Sequence, residues 1–231
     1  MPGDTRGWKL STARKQIAGF NHDDMIQKID YRPFDTRFIY YSNLMADWGR
    51  ETVLYNMLKQ NIALVIPRQA VTDNWSNVSV STCLADNRFH YSNKGIPIVC
   101  PLFLYDTEFG KETKQPNLKM DIVHLVEEKI GLPFVTESHE KSVFTPIDLL
   151  DYIYAVLHSP SYREKYKEFL KIDFPRVPYP TDQETFWKLV EIGGKLRECH
   201  VMQTEFDIAA YSFVGDGTNE VVKPEYKNGR V

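Results

Sequence analysis

TPIDLLDYIYAVLHSPSYREKYKEFLKIDFPRVPYPTDQETFWKLVEIGGKLRECH runs from Thr145 to His200 and holds three helix starts in succession. Thr145 can cap a helix, Pro146 suits the first helical position, and Asp148 stands where a capping-box carboxylate belongs. Leu149, Leu150, Ile153, Val156 and Leu157 then recur at helical spacing. Ser159-Pro160 ends that helix and opens another, with Tyr162, Tyr166, Phe169 and Leu170 on one face and Arg163, Glu164, Lys165, Lys167 and Glu168 on the other. Residues 173–180 form an extended connector, because each proline fixes its own φ and keeps the preceding residue out of the helical region. Thr181 and Glu184 read as a capping box for a third helix, whose apolar face is Phe186, Leu189, Val190, Ile192 and Leu196. The stretch predicts a helical subdomain, and nothing in it has the layout of a catalytic site.

Working back toward the start, residues 118–130 predict a helix with Ile122, Val123, Leu125, Val126 and Ile130 buried, ended by Gly131-Leu132-Pro133. Residues 107–117 are polar and read as a loop. Upstream the period changes. NIALVIPRQ, residues 61–69, is a buried strand, and residues 70–83 alternate through Trp75, Val78, Val80 and Thr82 as a half-buried antiparallel strand. GIPIVCPLFLY, residues 95–105, is a third apolar run, where Pro97 and Pro101 mark an edge or a break. Residues 47–60 read as a short helix with Trp48, Val53, Leu54, Met57 and Leu58 on its apolar side. YRPFDTRFIYY, residues 31–41, has a turn at Pro33 and Asp35 and strand composition from Phe38 on. Asp35 either orders that turn by pairing with Arg32 or Arg37, or leaves an arginine to reach a phosphate or a base. Residues 1–30 show no period, and their abrupt beginning reads as a cut within a longer chain. After Met202 the turn signals Asp216-Gly217 and Asn228-Gly229 punctuate a tail with the composition of one or two short strands.

The fold class that follows is α+β: a mixed, largely antiparallel sheet in the first half packed with a helical subdomain in the second. The division expected is residues 1–115, sheet-rich; 116–202, helical; and 203–231, a tail.

Composition narrows the function classes. Of 231 residues, 42% are hydrophobic and 26% charged, enough apolar content for a buried core. No apolar run is long enough to span a bilayer, and the opening residues lack a signal-peptide pattern, so a cytoplasmic protein with no membrane partner is expected. The three cysteines, Cys83, Cys100 and Cys199, have neither zinc nor disulfide-framework spacing. Net charge is -3, and residues 1–100 carry 12 Lys+Arg against 9 Asp+Glu. That balance allows a basic face in the first half without requiring one.

Catalytic signatures are scarce. There is no G-x-x-x-x-G-K-[ST] loop, no G-x-G-x-x-G turn, no G-x-S-x-G elbow and no Asn-Pro-Pro-aromatic tetrapeptide of adenine methyltransferases. The six histidines never take metal-ligand spacing, and His124, His158 and His200 lie on or beside apolar helix faces as structural groups. Glu137, His139, Glu140 and Lys141 cluster in a loop, which is either a solvated surface or a small unrecognised site. No catalytic, cofactor-binding or metal-binding residue is assigned.

Three motifs together carry a resemblance: Tyr31-Arg32-Pro33-Phe34-Asp35-Thr36-Arg37, the strand Pro101-Leu102-Phe103-Leu104-Tyr105, and residues 154–163, YAVLHSPSYR, leading to DFPRVP at 173–178. Over residues 8–202 the chain resembles the C-terminal specificity domain of type ISP restriction–modification enzymes. The resemblance implies a non-catalytic domain that recognises a target sequence in double-stranded DNA. Its partner would be an adenine methyltransferase domain in the same or a neighbouring polypeptide. S-adenosylmethionine is implied for that domain, and no cofactor for this chain. Sequence readout needs Arg against guanine and Asn or Gln against adenine, while Lys on phosphates sets the register. Loops beside the strands of residues 61–105 hold that vocabulary: Arg68, Gln69, Asn74, Asn77, Asn87, Arg88 and Lys94, with Asn93 beside the last. Arg37 and Arg176, in the family motifs, are expected to be architectural and to hold the sheet to the helices. A protein-interaction module and a small enzyme remain as alternatives.

Overall fold

The fold is that of a computed structural model, which describes residues 4–5, 7–18, 23–46, 49–69, 75–90, 96–108, 111–204, 216 and 218. The expected tail strands after Met202 lie almost wholly outside the described residues.

Helix α4, Pro146–His158, begins as its sequence prescribes: Thr145 accepts from the Asp148 amide and Asp148 accepts from the Thr145 amide. Ser159 ends α4 and caps α5, Pro160–Lys165, by accepting from the Tyr162 amide. The second helix then breaks at Tyr166, and a short α6 spans Lys167–Leu170. The connector that follows is pinned to the helices by two tyrosines, Tyr152 donating to the Pro178 carbonyl at 2.9 Å and Tyr162 to that of Arg176 at 3.0 Å. Helix α7, Gln183–His200, starts one residue later than expected. Its cap is Asp182, which accepts from the Thr185 amide at 2.7 Å, and Glu184 instead pairs with Lys188 one turn on at 2.6 Å.

Helices α4 and α7 pack closely because α7 has a glycine where they cross. A Cβ on Gly193 would overlap the Asp151 carbonyl oxygen and sit 2.7 Å from the carbonyl carbon. Gly193 thus occupies the inward position expected of Ile192, which is exposed. Next to this contact Arg197 donates to both oxygens of the buried Asp151 carboxylate, at 2.6 and 3.0 Å. Tyr154, Phe144 and Phe186 are fully buried around the crossing.

The strands form three small sheets instead of one. β1, Ile26–Arg32, and β2, Asp35–Tyr40, make an antiparallel hairpin, and β5, Leu84–Ala85, joins β1 in parallel. β3, Ala63–Ile66, is central and fully buried between β4, Ser79–Ser81, and the edge strand β6, Ile98–Pro101. β7, Phe103–Glu108, and β8, Lys111–Pro116, form a second hairpin. β8 replaces the expected loop. Glu112 to Gln115 are all exposed, so this strand has no apolar alternation to read. Hairpin β7–β8 is tied down by Asn61, whose side chain accepts from the Phe103 amide at 3.1 Å and donates to the Phe103 carbonyl at 2.8 Å.

Smaller departures concern which face is buried and where a period begins. The helix expected at 47–60 is one α-turn, α2, Glu51–Leu54, followed by a 3-10 turn, Tyr55–Leu58. Leu54 and Met57 are buried at the tighter spacing, which leaves Val53 and Leu58 exposed. In α3, Met120–Ile130, only Val123, Val126 and Ile130 are buried, while Ile122 and Leu125 face outward. Gly131, at φ 69°, ends α3 in the left-handed conformation that glycine accepts freely. Residues expected to lack period include a helix, α1, Leu10–Ile17, and strand β1. The larger core cluster joins Leu64, Val80 and Trp75 from the sheet side with Val126, Leu157 and Phe186 from the helices.

Candidate nucleic-acid interface

Register decides which of the expected reading residues meet. Val65 stands opposite Ser79 and Ile66 opposite Ile98, so the end of β3, the start of β4 and the start of β6 share one end of the sheet. Arg68 and Gln69 follow β3 there, and Asn77 precedes β4. Arg68 and Gln69 are exposed and Asn77 is half-buried. Asn87 and Arg88 follow β5, close to the β1–β2 turn, because the Asp86 amide donates to the Asp30 carbonyl at 3.0 Å and Arg32 pairs with Asp86 at 3.2 Å. Asn87 is half-buried and Arg88 exposed. None of the five lies in the interior. Asn74, Asn93 and Lys94 lie outside the described residues.

Arg68 has a protein partner as well. Its guanidinium, 66% exposed, stands 3.5 Å from the Asp173 carboxylate and 6.0 Å from the Phe174 ring. An exposed pair at that distance is weak and easily exchanged for another anion. This contact also corrects the expectation for Arg37 and Arg176. Arg37 pairs with Asp35 at 2.7 Å and stacks on Tyr31, inside its own hairpin, so Asp35 does order the turn. Arg176 lies over Phe169 of α6, within the helical part. Arginine contacts that do join the sheet side to the helical part are Arg68 to the connector and Arg163 of α5 over the Trp75 ring, beside the shared apolar core.

Between the β1–β2 hairpin, β4 and the ends of α4 and α7 lies a cavity of about 590 Å³. Asn77 lines it beside Asp30, Phe34, Phe89, His90 and Met202. Asp30 is held by two hydroxyls, Thr36 donating to Oδ1 at 2.7 Å and Ser81 to Oδ2 at 2.6 Å. Burial pushes the His90 imidazole down to about 4. His158 also falls to about 4, through burial first and then through Arg163 and His200 nearby. Both are therefore neutral at physiological pH. His200 accepts from or donates to Tyr154 through Nδ1, while His158 Nε2 has no hydrogen-bond partner. His124, placed beside these by sequence, is exposed and pairs with Glu127 at 2.6 Å. Phe34 belongs to the first family motif but was given no role by sequence, and Met202 was given none. Neither is a glycine, and both hold positive φ, 63° and 56°.

The loop cluster at 137–141 has a different character. Glu137, His139, Glu140 and Lys141 are all exposed, and Glu137 pairs with Lys114 at 3.4 Å. Among the described residues no group of three or more His, Cys, Asp or Glu is arranged to hold a metal ion, and no helix is long and apolar enough to cross a membrane.

The family model described as the Type ISP C-terminal specificity domain matches residues 2–231. The chain belongs to this family. Solved structures similar to this specificity domain include a "cryoEM structure DrdV-DNA complex", at 19% identity and TM-score 0.61, covering 78% of this chain and 16% of that one. A second is the "ATP-dependent Type ISP restriction-modification enzyme LlaBIII bound to DNA", at 17% identity and TM-score 0.62, covering 82% and 12%. A third is a nuclease-deletion mutant of the Type ISP enzyme LlaGI in complex with a DNA substrate mimic, at 24% identity and TM-score 0.56, covering 81% and 12%. These likenesses establish the fold. The specificity domain spans less than a fifth of each of those chains. No curated protein matches it.

Proposed function

We propose that this specificity domain reads base sequence in duplex DNA and performs no chemistry itself. Arg68, Gln69, Asn77, Asn87 and Arg88 make the reading surface; Asn74 and Lys94, which lie outside the described residues, join the proposal by residue type alone. The observation that carries the reading is the shared sheet end. Strand register brings Arg68 and Gln69, at the exit of the fully buried β3, beside Asn77 at the entry to β4, so donors and acceptors that match guanine and adenine edges stand at one sheet end. The DNA, or DNA substrate mimic, bound in the three similar structures supports the same partner. The proposal includes a division of labour, which the family resemblance supports: an adenine methyltransferase domain, in the same or a neighbouring polypeptide, binds S-adenosylmethionine and modifies the base, and this domain selects the site in the cytoplasm. A gel-shift series with duplex DNA over rising salt tests binding. Affinity is expected to fall steeply as salt displaces phosphate contacts. Absence of binding at low salt would count against the domain acting alone.

A further inference from the structure

We propose that the cavity beneath the β1–β2 hairpin is a subsite for a nucleobase ring, supplied either by an extrahelical base of bound DNA or by a free nucleoside. The first source rests on the DNA-reading function above; the second does not. Four observations define the ligand class. The volume, about 590 Å³, falls in the range of small-molecule sites. Phe34, Phe89, His200 and Met202 present flat or polarisable surfaces on which a heterocycle can stack. Asp30 and Asn77 offer acceptors and donors to a polar ring edge, and each Asp30 oxygen has capacity left after accepting one hydroxyl. His90 is 8% exposed and its Nε2 is unpartnered.

Charge argues against a phosphate here. His90 and His158 are neutral, and the charged side chains of the lining, Lys28 and Asp30, oppose one another. Backbone strain points to the same place. Among the described residues only Phe34, Arg50 and Met202 are non-glycine residues with positive φ, and two of them line this cavity. Both are well exposed, at 63% and 59%, so the fold holds two large apolar side chains in an uncommon conformation next to solvent. Phe34 also meets the His200 ring at 5.8 Å in a T-shaped contact, so two aromatic rings stand together at the cavity wall.

The test uses the full chain and two probes: 2-aminopurine riboside, and a duplex bearing one unpaired 2-aminopurine next to the same duplex fully paired. If the source is extrahelical, the bulged duplex binds about tenfold more tightly than the paired one, the loss of one stacked base. Phe34→Gly and Met202→Gly each bring that ratio to about one and leave paired-duplex affinity unchanged. Glycine accepts the left-handed conformation, so neither variant strains the fold. If the source is a free nucleoside, the riboside binds saturably and both variants abolish it. Equal affinity for the two duplexes together with no riboside binding overturns the proposal. Salt-dependent binding of the paired duplex in that case leaves the reading function standing. Riboside binding without any duplex binding does the reverse.

Discussion

Replacing Gly193 by alanine tests the packing that holds the helical part together. The added methyl would overlap the Asp151 carbonyl oxygen and lie 2.7 and 3.1 Å from its carbonyl carbon and Cα. These are backbone atoms of α4 and cannot rotate away. The carbonyl oxygen would stand 1.9 Å from the methyl, so reaching an ordinary contact of about 3.5 Å requires the two helices to part by roughly 1.6 Å. Overpacking of this kind costs about 3 kcal/mol at the upper end of its usual range. Parting the helices also stretches the Arg197–Asp151 pair, now at 2.6 and 3.0 Å, and a charged hydrogen bond contributes about 2 kcal/mol. Helix propensity returns about 1 kcal/mol for alanine over glycine. The net loss is roughly 3–4 kcal/mol, or on the order of 10 °C in melting temperature for a chain of this size. Gly194→Ala is the internal control. Its Cβ would approach the Asp151 Oδ2 side-chain atom at 3.0 Å, so a shift of a few tenths of an ångström, small enough to keep the hydrogen bond from Arg197, relieves the contact. That variant should stay within about 1 kcal/mol of the parent, because propensity offsets the contact. Denaturant melts of the three proteins read both values. Equal stability of the two variants, or Gly193→Ala melting with the parent, would refute the crossing geometry.

Three further outcomes follow from individual contacts. Asn61→Ala leaves the Phe103 amide and carbonyl without their side-chain partner and is expected to lower stability by about 2–3 kcal/mol in a denaturant melt, whereas a surface asparagine would change it little. Asp182→Ala should lower the melting temperature more than Thr181→Ala, because Asp182 is the group that accepts from the Thr185 amide; the reverse order would restore Thr181 as the cap. Because His90 and His158 titrate near 4 in the fold and near 6.5 unfolded, below pH 6.5 the unfolded chain takes protons that the folded chain refuses. Their contribution is complete above that pH and is lost as pH falls toward about 4, at up to about 1.4 kcal/mol per pH unit for His90, with His158 adding in the same direction. Denaturation midpoints at pH 7 and pH 5 should therefore differ, and His90→Leu should reduce the difference; a flat profile would contradict it.

What could be read from the sequence was local chemistry. Thr145, Pro146 and Asp148 carry all the atoms that start α4, so that start was legible in full. At Thr181-Asp182 two cap-competent side chains stand in a row, and only the position of the Thr185 amide selects between them. β8 was missed because both of its faces meet water and leave no periodicity. Asn61 looks like any polar residue before a strand, and its role depends on Phe103, far along the chain. The reading residues were legible by type, since Arg68-Gln69 leaves a buried strand directly. Their meeting with Asn77 required the β3–β4 register. The cavity was not legible at all. Its walls come from residues near 30, 80, 158 and 200, and no glycine announces the left-handed turns at Phe34 and Met202.

Selection from a pool of random duplexes tests the account most directly. The full chain and a variant carrying Arg68→Ala, Gln69→Ala and Arg88→Ala would each be used to retain DNA, followed by sequencing of what is retained. The account predicts a changed base preference in the variant, with each lost bidentate contact relaxing discrimination by about 1–3 kcal/mol at its position. An identical enriched sequence from both proteins would contradict it.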